Sequence, residues 1–152
     1  MTRIAGFLLL LIGISAATPA AAIPAPMSPD ELVQASDVVA LVRVVAVTCV
    51  AVATSERTGE KLPSYRAELE IVEIGKGELQ PGDTIEVAFQ AIEAGLVGPW
   101  TVWYYPGEEV WTHLRQGDGV YETTWWNARG EALREAAVTD LPVIAGETVR
   151  AP

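Results

Sequence analysis

The residues able to do chemistry in this chain are few. The single histidine, His113, stands four residues after Glu109 in the stretch EEVWTHL, and the single cysteine, Cys49, lies in the apolar run VTCVAV. Four positions along an extended strand put Glu109 and His113 on one face but about 13 Å apart, too far to share a substrate or an ion. One histidine excludes a multi-histidine metal site and zinc sites built from cysteine and histidine clusters. A Ser-His-Asp triad would have to use His113, and no serine sits in a nucleophile-elbow context. Carboxylates are plentiful, 20 in all, so the adjacent Glu108 and Glu109 do not single themselves out as an acid/base dyad. The glycines punctuate turns and form no phosphate-binding loop. The expectation is no catalytic residue, no metal and no cofactor, with Cys49 a buried, unpaired thiol that packs as a small hydrophobe.

The aromatic residues carry more information. All five tryptophans lie between Trp100 and Trp126, and WTVWYYPGEEVW, from Trp100 to Trp111, holds five large aromatics in twelve residues. Adjacent residues of a strand point to opposite faces. If Val110, Thr112 and Leu114 face a barrel interior, Trp111 faces outward with Glu109 and His113. By the same rule, one of Trp125 and Trp126 packs inside and the other joins the surface. An exposed tryptophan beside others is a platform for a sugar, a peptide or a protein. Trp100, Trp103, Trp111, Trp125 and Trp126 are therefore the candidate binding residues. The alternative is that a second layer covers them and the cluster is core.

These residues must be positioned by the rest of the chain. Its amino terminus has a positive residue, Arg3, an apolar run from Ile4 to Ile14, and small residues at Ala20 to Ala22. This is the pattern of a secretory signal cleaved before Ile23, and eleven residues fall well short of the roughly 20 that span a bilayer as a helix. The expected location is periplasmic or secreted, with no membrane association after cleavage. Removing 22 of 152 residues leaves 130, enough for one domain with a hydrophobic core. The formal net charge of -10 repels phosphate backbones, which argues against nucleic acid. A lone cysteine makes no internal disulfide, so packing must supply the stability.

Local signals place the elements. In MSPDELVQAS, Ser28 is set as N-cap, Pro29 as first helical residue and Glu31 as the capping-box partner, predicting a short helix from Pro29 to Ala35. From Val38 to Val52 eight of fifteen residues are valine, which favours a long, curved or bulged strand. In YRAELEIVEI, Tyr65, Ala67, Leu69 and Ile71 alternate with charged residues. The phase then shifts, predicting a bulge near Ile71 to Glu73. Pro81 and Gly82 fit a type II turn. Ile85, Val87, Phe89 and Ala91 form a half-buried strand. Trp100 to Tyr105 reads as a short strand or an aromatic loop, followed by strands at Glu109 to Leu114, Val120 to Asn127 and Glu131 to Val138. The second of these turns into the third through a hairpin at Asn127 to Gly130, and a further strand is expected at Leu141 to Ala145. Short connections without amphipathic helices favour antiparallel pairing.

The order of a short helix, a valine-rich strand, a strand ending in Lys76-Gly77, Pro81-Gly82-Asp83, and Pro106-Gly107-Glu108 before a strand ending at Leu114 resembles the OB-fold domains related to tissue inhibitors of metalloproteinases and netrin-type modules. The resemblance covers about Ser28 to Val138 and implies an all-β, OB-like antiparallel Greek-key β-barrel with a short N-terminal helix. In the animal inhibitors an amino-terminal cysteine chelates the protease zinc. No cysteine lies near Ile23-Pro24 here, so that role has no residue to carry it, and Thr112 and His113 replace apolar residues usual before Leu114. The expectation is one domain, 23–152, acting as an exported, non-catalytic binding or accessory module for a protein, peptide or carbohydrate partner. A protease inhibitor or small hydrolase of unrecognised type is the alternative.

Overall fold

The computed structural model describes residues 24–95 and 101–152. The expected signal segment, 1–22, and Trp100 lie outside the described residues. A helix, α1 (Pro29–Ala35), precedes seven strands: β1 (Val38–Thr54), β2 (Lys61–Lys76), β3 (Thr84–Gln90), β4 (Glu109–Gln116), β5 (Tyr121–Thr123), β6 (Arg129–Arg134) and β7 (Thr148–Arg150). Five of them close a barrel in the order β1-β2-β3-β5-β4-β1, an OB-like Greek-key arrangement. All pairings in the ring are antiparallel except β3–β5. A closed ring with an odd number of strands cannot be antiparallel throughout, so one parallel seam is a geometric necessity.

The helix begins as its sequence dictates. Ser28 Oγ accepts from the Glu31 amide and Glu31 returns a carboxylate to the Ser28 amide at 2.7 Å, completing the capping box. At the other end Lys76 Nζ donates to the Val33 and Ser36 carbonyls at 2.7 and 2.5 Å.

β1 is the spine of the barrel. Along one edge it pairs with β2 for nearly its full length; along the other it pairs first with β4, at Val38 to Arg43, and then with β7, at Ala46 to Thr48. A register shift between Val44 and Ala46 marks the exchange. It also changes the inward phase, from Val38, Ala40, Val42 and Val44 to Val47 and Cys49, so that both halves feed one core. In β2 the shift opposite Leu41 and Val42 falls between Ile71 and Glu73, as the change of phase there predicts. Pro81-Gly82 makes a type II turn, with Gly82 at φ +93° and the Asp83 amide donating to the Gln80 carbonyl at 3.0 Å.

The second half of the chain departs from the expected segments. Residues 101–105 have no regular secondary structure, and Val102 and Tyr104 are buried. Pro106-Gly107 then returns the chain to β1, with Gly107 donating to the Val44 carbonyl at 2.8 Å. Gly107 has φ +94°, and a Cβ there would lie 2.6 Å from that of Ala137, so only glycine fits. The strand expected over Val120 to Asn127 stops at Thr123. Asn127 to Gly130 is not a hairpin turn, because Arg129 and Gly130 already belong to β6, which pairs with β4. The last strand is Thr148–Arg150, not Leu141 to Ala145; Ala145-Gly146 instead forms the turn leading into it, with the Gly146 amide donating to the Cys49 carbonyl.

Candidate functional site

β5 and β6 both run antiparallel to β4 along the same edge and are collinear. Leu114 pairs with Thr123 and Thr112 with Arg129, so the five residues Thr124 to Ala128 stand opposite His113 alone. A single strand from Tyr121 to Arg134 is in effect interrupted by an outward excursion. Its base is fixed on both sides. The Thr124 amide donates to the His113 carbonyl at 3.0 Å, the His113 amide donates to the Ala128 carbonyl at 2.9 Å, and His113 Nδ1 lies 3.0 Å from the same oxygen. Thr124 is buried with its hydroxyl 2.7 Å from that of Ser36, and Ala128 is fully buried. Between these anchors Trp125, Trp126 and Asn127 are half-buried. Large bulges of this kind re-aim side chains and recur beside functional sites.

The three re-aimed side chains converge on the segment before α1. Trp126 Nε1 donates to the Pro24 carbonyl and Trp125 Nε1 to the Ala25 carbonyl, both at 3.1 Å. The Asn127 amide pairs with both main-chain groups of Met27, accepting from its N–H at 3.2 Å and donating to its carbonyl at 2.8 Å. The tryptophans line a cleft of about 260 Å³ together with Pro24, Arg115, Thr123 and Thr124. A second cleft, about 450 Å³, opens where β3 and β5 part beyond their two paired residues; Tyr65, Arg66, Phe89, Gln90 and Glu122 line it, and Thr123 belongs to both.

The four described candidate tryptophans have different surroundings. Trp103 lies in an aromatic cluster, 6.0 Å from Tyr65, 5.8 Å from Phe89 and 6.4 Å from Tyr105 between ring centres. Trp111 lies outward, as expected from inward Val110, Thr112 and Leu114, but half-buried between Gly75 and Gly130. Trp125 and Trp126 do share a site. The expectation that one of them enters the core is wrong: neither does, because the alternating-face rule needs a regular strand and this segment is an excursion. Asn127, Pro24, Ala25 and Met27 were not among the candidates. The Pro-Ala-Pro sequence, a stiff extended stretch beside the expected cleavage point, is the signal that could have found them.

The other chemically capable groups are held in structural bonds. Glu108 is buried, paired with Arg129, and accepts from the Tyr105 amide at 2.9 Å, while Glu109 bonds Arg43 at 2.8 and 3.0 Å. The two neighbours thus serve different pairs and make no dyad. Burial pushes the Glu108 carboxyl above its ordinary range despite Arg129, and pushes the Tyr104 hydroxyl, bonded to Thr112 at 2.6 Å, well up. Cys49 is fully buried and unpaired, as expected, and burial raises its thiol. Among the described residues no three His, Cys, Asp or Glu side chains are grouped to hold a metal ion, and no helix is long and apolar enough to cross a membrane. No family model, curated protein or solved structure matches the chain.

Proposed function

We propose that the protein is an exported, non-catalytic binding module whose partner, a polypeptide or a carbohydrate, seats at the Trp125–Trp126 cleft. The observation that carries this reading is the excursion opposite His113. A regular strand would have kept the edge of β4 covered with less chain and turned one tryptophan inward. Instead, two of the most costly side chains to expose are presented side by side on a base fixed by four hydrogen bonds. The anchors at Thr124 and Ala128 fix the backbone that carries both rings before a partner arrives, which reduces the ordering cost of binding. Arg115, paired with Glu122 at 3.1 Å, stands at the cleft wall. The net charge supports a partner other than nucleic acid, and the amino-terminal pattern supports a periplasmic or secreted location.

Arrays of immobilised peptides and glycans, probed with the unaltered protein and with Trp125→Phe/Trp126→Phe, test the reading. Retention on a set of spots that the double variant loses is the expected result. Absence of retention, or retention equal in the two proteins, would overturn it.

A further inference from the structure

The groove formed by Trp125, Trp126 and Asn127 is occupied by the chain's own residues Pro24 to Met27, and the manner of its occupation is informative. All four hydrogen bonds of these three side chains are made with main-chain atoms of the arm, three donated to carbonyls and one accepted from an N–H. The contacts therefore read the course of a backbone and not the identity of its side chains. Ala25 and Pro26 point to solvent, while Pro24 and Met27 are half-buried. Two of the four arm residues are prolines, which carry no N–H and hold φ near -65°, so the arm is stiff and lacks two of the donors a sheet strand would offer. A stiff, proline-containing backbone laid across tryptophans that donate to its carbonyls is a recognised mode of peptide capture, because little conformational freedom remains to be lost.

We propose that this groove is a recognition site for an extended, proline-containing polypeptide segment, which in the isolated protein is filled by residues 24–27 acting as an internal ligand. The proposal rests on the Trp125–Trp126 cleft being the binding site and names the class of its ligand. Main-chain recognition makes the arm replaceable by any segment that places two carbonyls and one further N–H and C=O pair at the same spacing. The internal ligand holds its place by proximity, since a tethered segment competes at an effective concentration of order millimolar. A partner in trans would bind weakly to the closed protein and more tightly when the arm is loosened. The asymmetry of the contacts sets the reading frame: Asn127 pairs both main-chain groups of one residue, and the tryptophans take the carbonyls two and three residues before it.

The test uses the full chain, a capped peptide with the sequence IPAPMS, the same peptide with both prolines replaced by glycine, and neutral oligosaccharides as probes. In Pro24→Gly/Pro26→Gly every main-chain acceptor is kept, while the stiffness of the arm and the Pro24 ring at the cleft wall are lost. The indole Nε1–H resonances of Trp125 and Trp126 report occupancy. The proline peptide should shift both resonances, and should bind the loosened variant about tenfold or more tightly than the unaltered chain. The glycine peptide should bind about tenfold more weakly. In the loosened background Trp126→Phe and Asn127→Asp, which remove one donor each and leave the fold of the barrel, should each weaken the proline peptide by a similar factor. No shift of either resonance by the proline peptide in the loosened variant would overturn the proposal, as would equal binding of the glycine peptide. Shifts caused by an oligosaccharide and not by the peptides would overturn it while leaving the binding-module reading in place. Silence to every probe would count against both.

Discussion

Trp103 and the pair Trp125–Trp126 use the same side chain in different ways. The first packs its ring among Tyr65, Phe89 and Tyr105. The second two direct their N–H groups to main-chain carbonyls and leave their rings beside a cleft. The backbone beneath them makes the difference. Residues 101–105 connect two barrel strands and turn aromatic side chains onto the apolar interior around Phe89 and Tyr104, whereas 124–128 leave a strand edge that β4 already satisfies on either side of His113. Tryptophan clustering in sequence thus says nothing by itself about which rings stabilise and which present a surface.

The comparison can be broken most severely at the core of the first group. Tyr104 is fully buried, its ring 5.7 Å from that of Phe89, and its hydroxyl meets Thr112. Tyr104→Ala should cost about 3 to 5 kcal/mol, and more if the Thr112 hydroxyl is left without a partner. Urea denaturation reads this loss directly. Trp103→Ala, with a half-buried ring, should cost roughly half as much, while Trp125→Ala and Trp126→Ala should each cost less again; a loss for either matching that of Tyr104→Ala would mean that the excursion is core after all.

A smaller effect, dependent on pH, separates the buried ion pair from both groups. Burial raises the folded-state value of Glu108, so the folded protein holds that proton more tightly than the unfolded chain. The resulting stability is complete below the ordinary carboxylate range and is lost as pH rises through the raised value. Glu108→Gln cannot ionise. Denaturation midpoints followed from about pH 4 to 7 should therefore improve for the variant relative to the unaltered protein as pH rises. A constant difference across that range would show that Glu108 does not titrate there.

The smallest effect sharpens the comparison. Trp126→Phe keeps most of the ring and removes only the donor to the Pro24 carbonyl, so it should change global stability by about 1 kcal/mol or less. Its consequence should appear in the arm. Amide exchange at Ala25 and Met27 should quicken while exchange in β1 and β2 stays unchanged; unaltered exchange at the arm would show that the indole bond does not hold it.

How far each feature was legible follows from the range of the interactions behind it. Helix α1 was readable to the residue because Ser28, Pro29 and Glu31 act on one another within a single turn. The inward faces of β2 and β3, the bulge before Glu73 and the Pro81-Gly82 turn were readable because side-chain alternation and turn chemistry are properties of a few neighbouring residues. A bulge in β1 was also expected, but its position at Val44 to Ala46 is where the strand changes partner from β4 to β7, which involves residues about a hundred positions away. Of the candidate site, Trp125 and Trp126 were named from the sequence, but Asn127 and the residues 24–27 that these side chains meet were not.

Composition and local pattern by themselves determined an all-β chain opening with a capped helix, an inward Val110-Thr112-Leu114 face, an unpaired buried Cys49 and a concentration of tryptophan in one stretch. Only the tertiary structure decided that β5 and β6 share one edge of β4, that five residues face His113, and that Trp125, Trp126 and Asn127 meet Pro24 to Met27. Alternation predicts the direction of a side chain only while the strand keeps its register, and register is set by the pairing partner, which the local sequence does not contain.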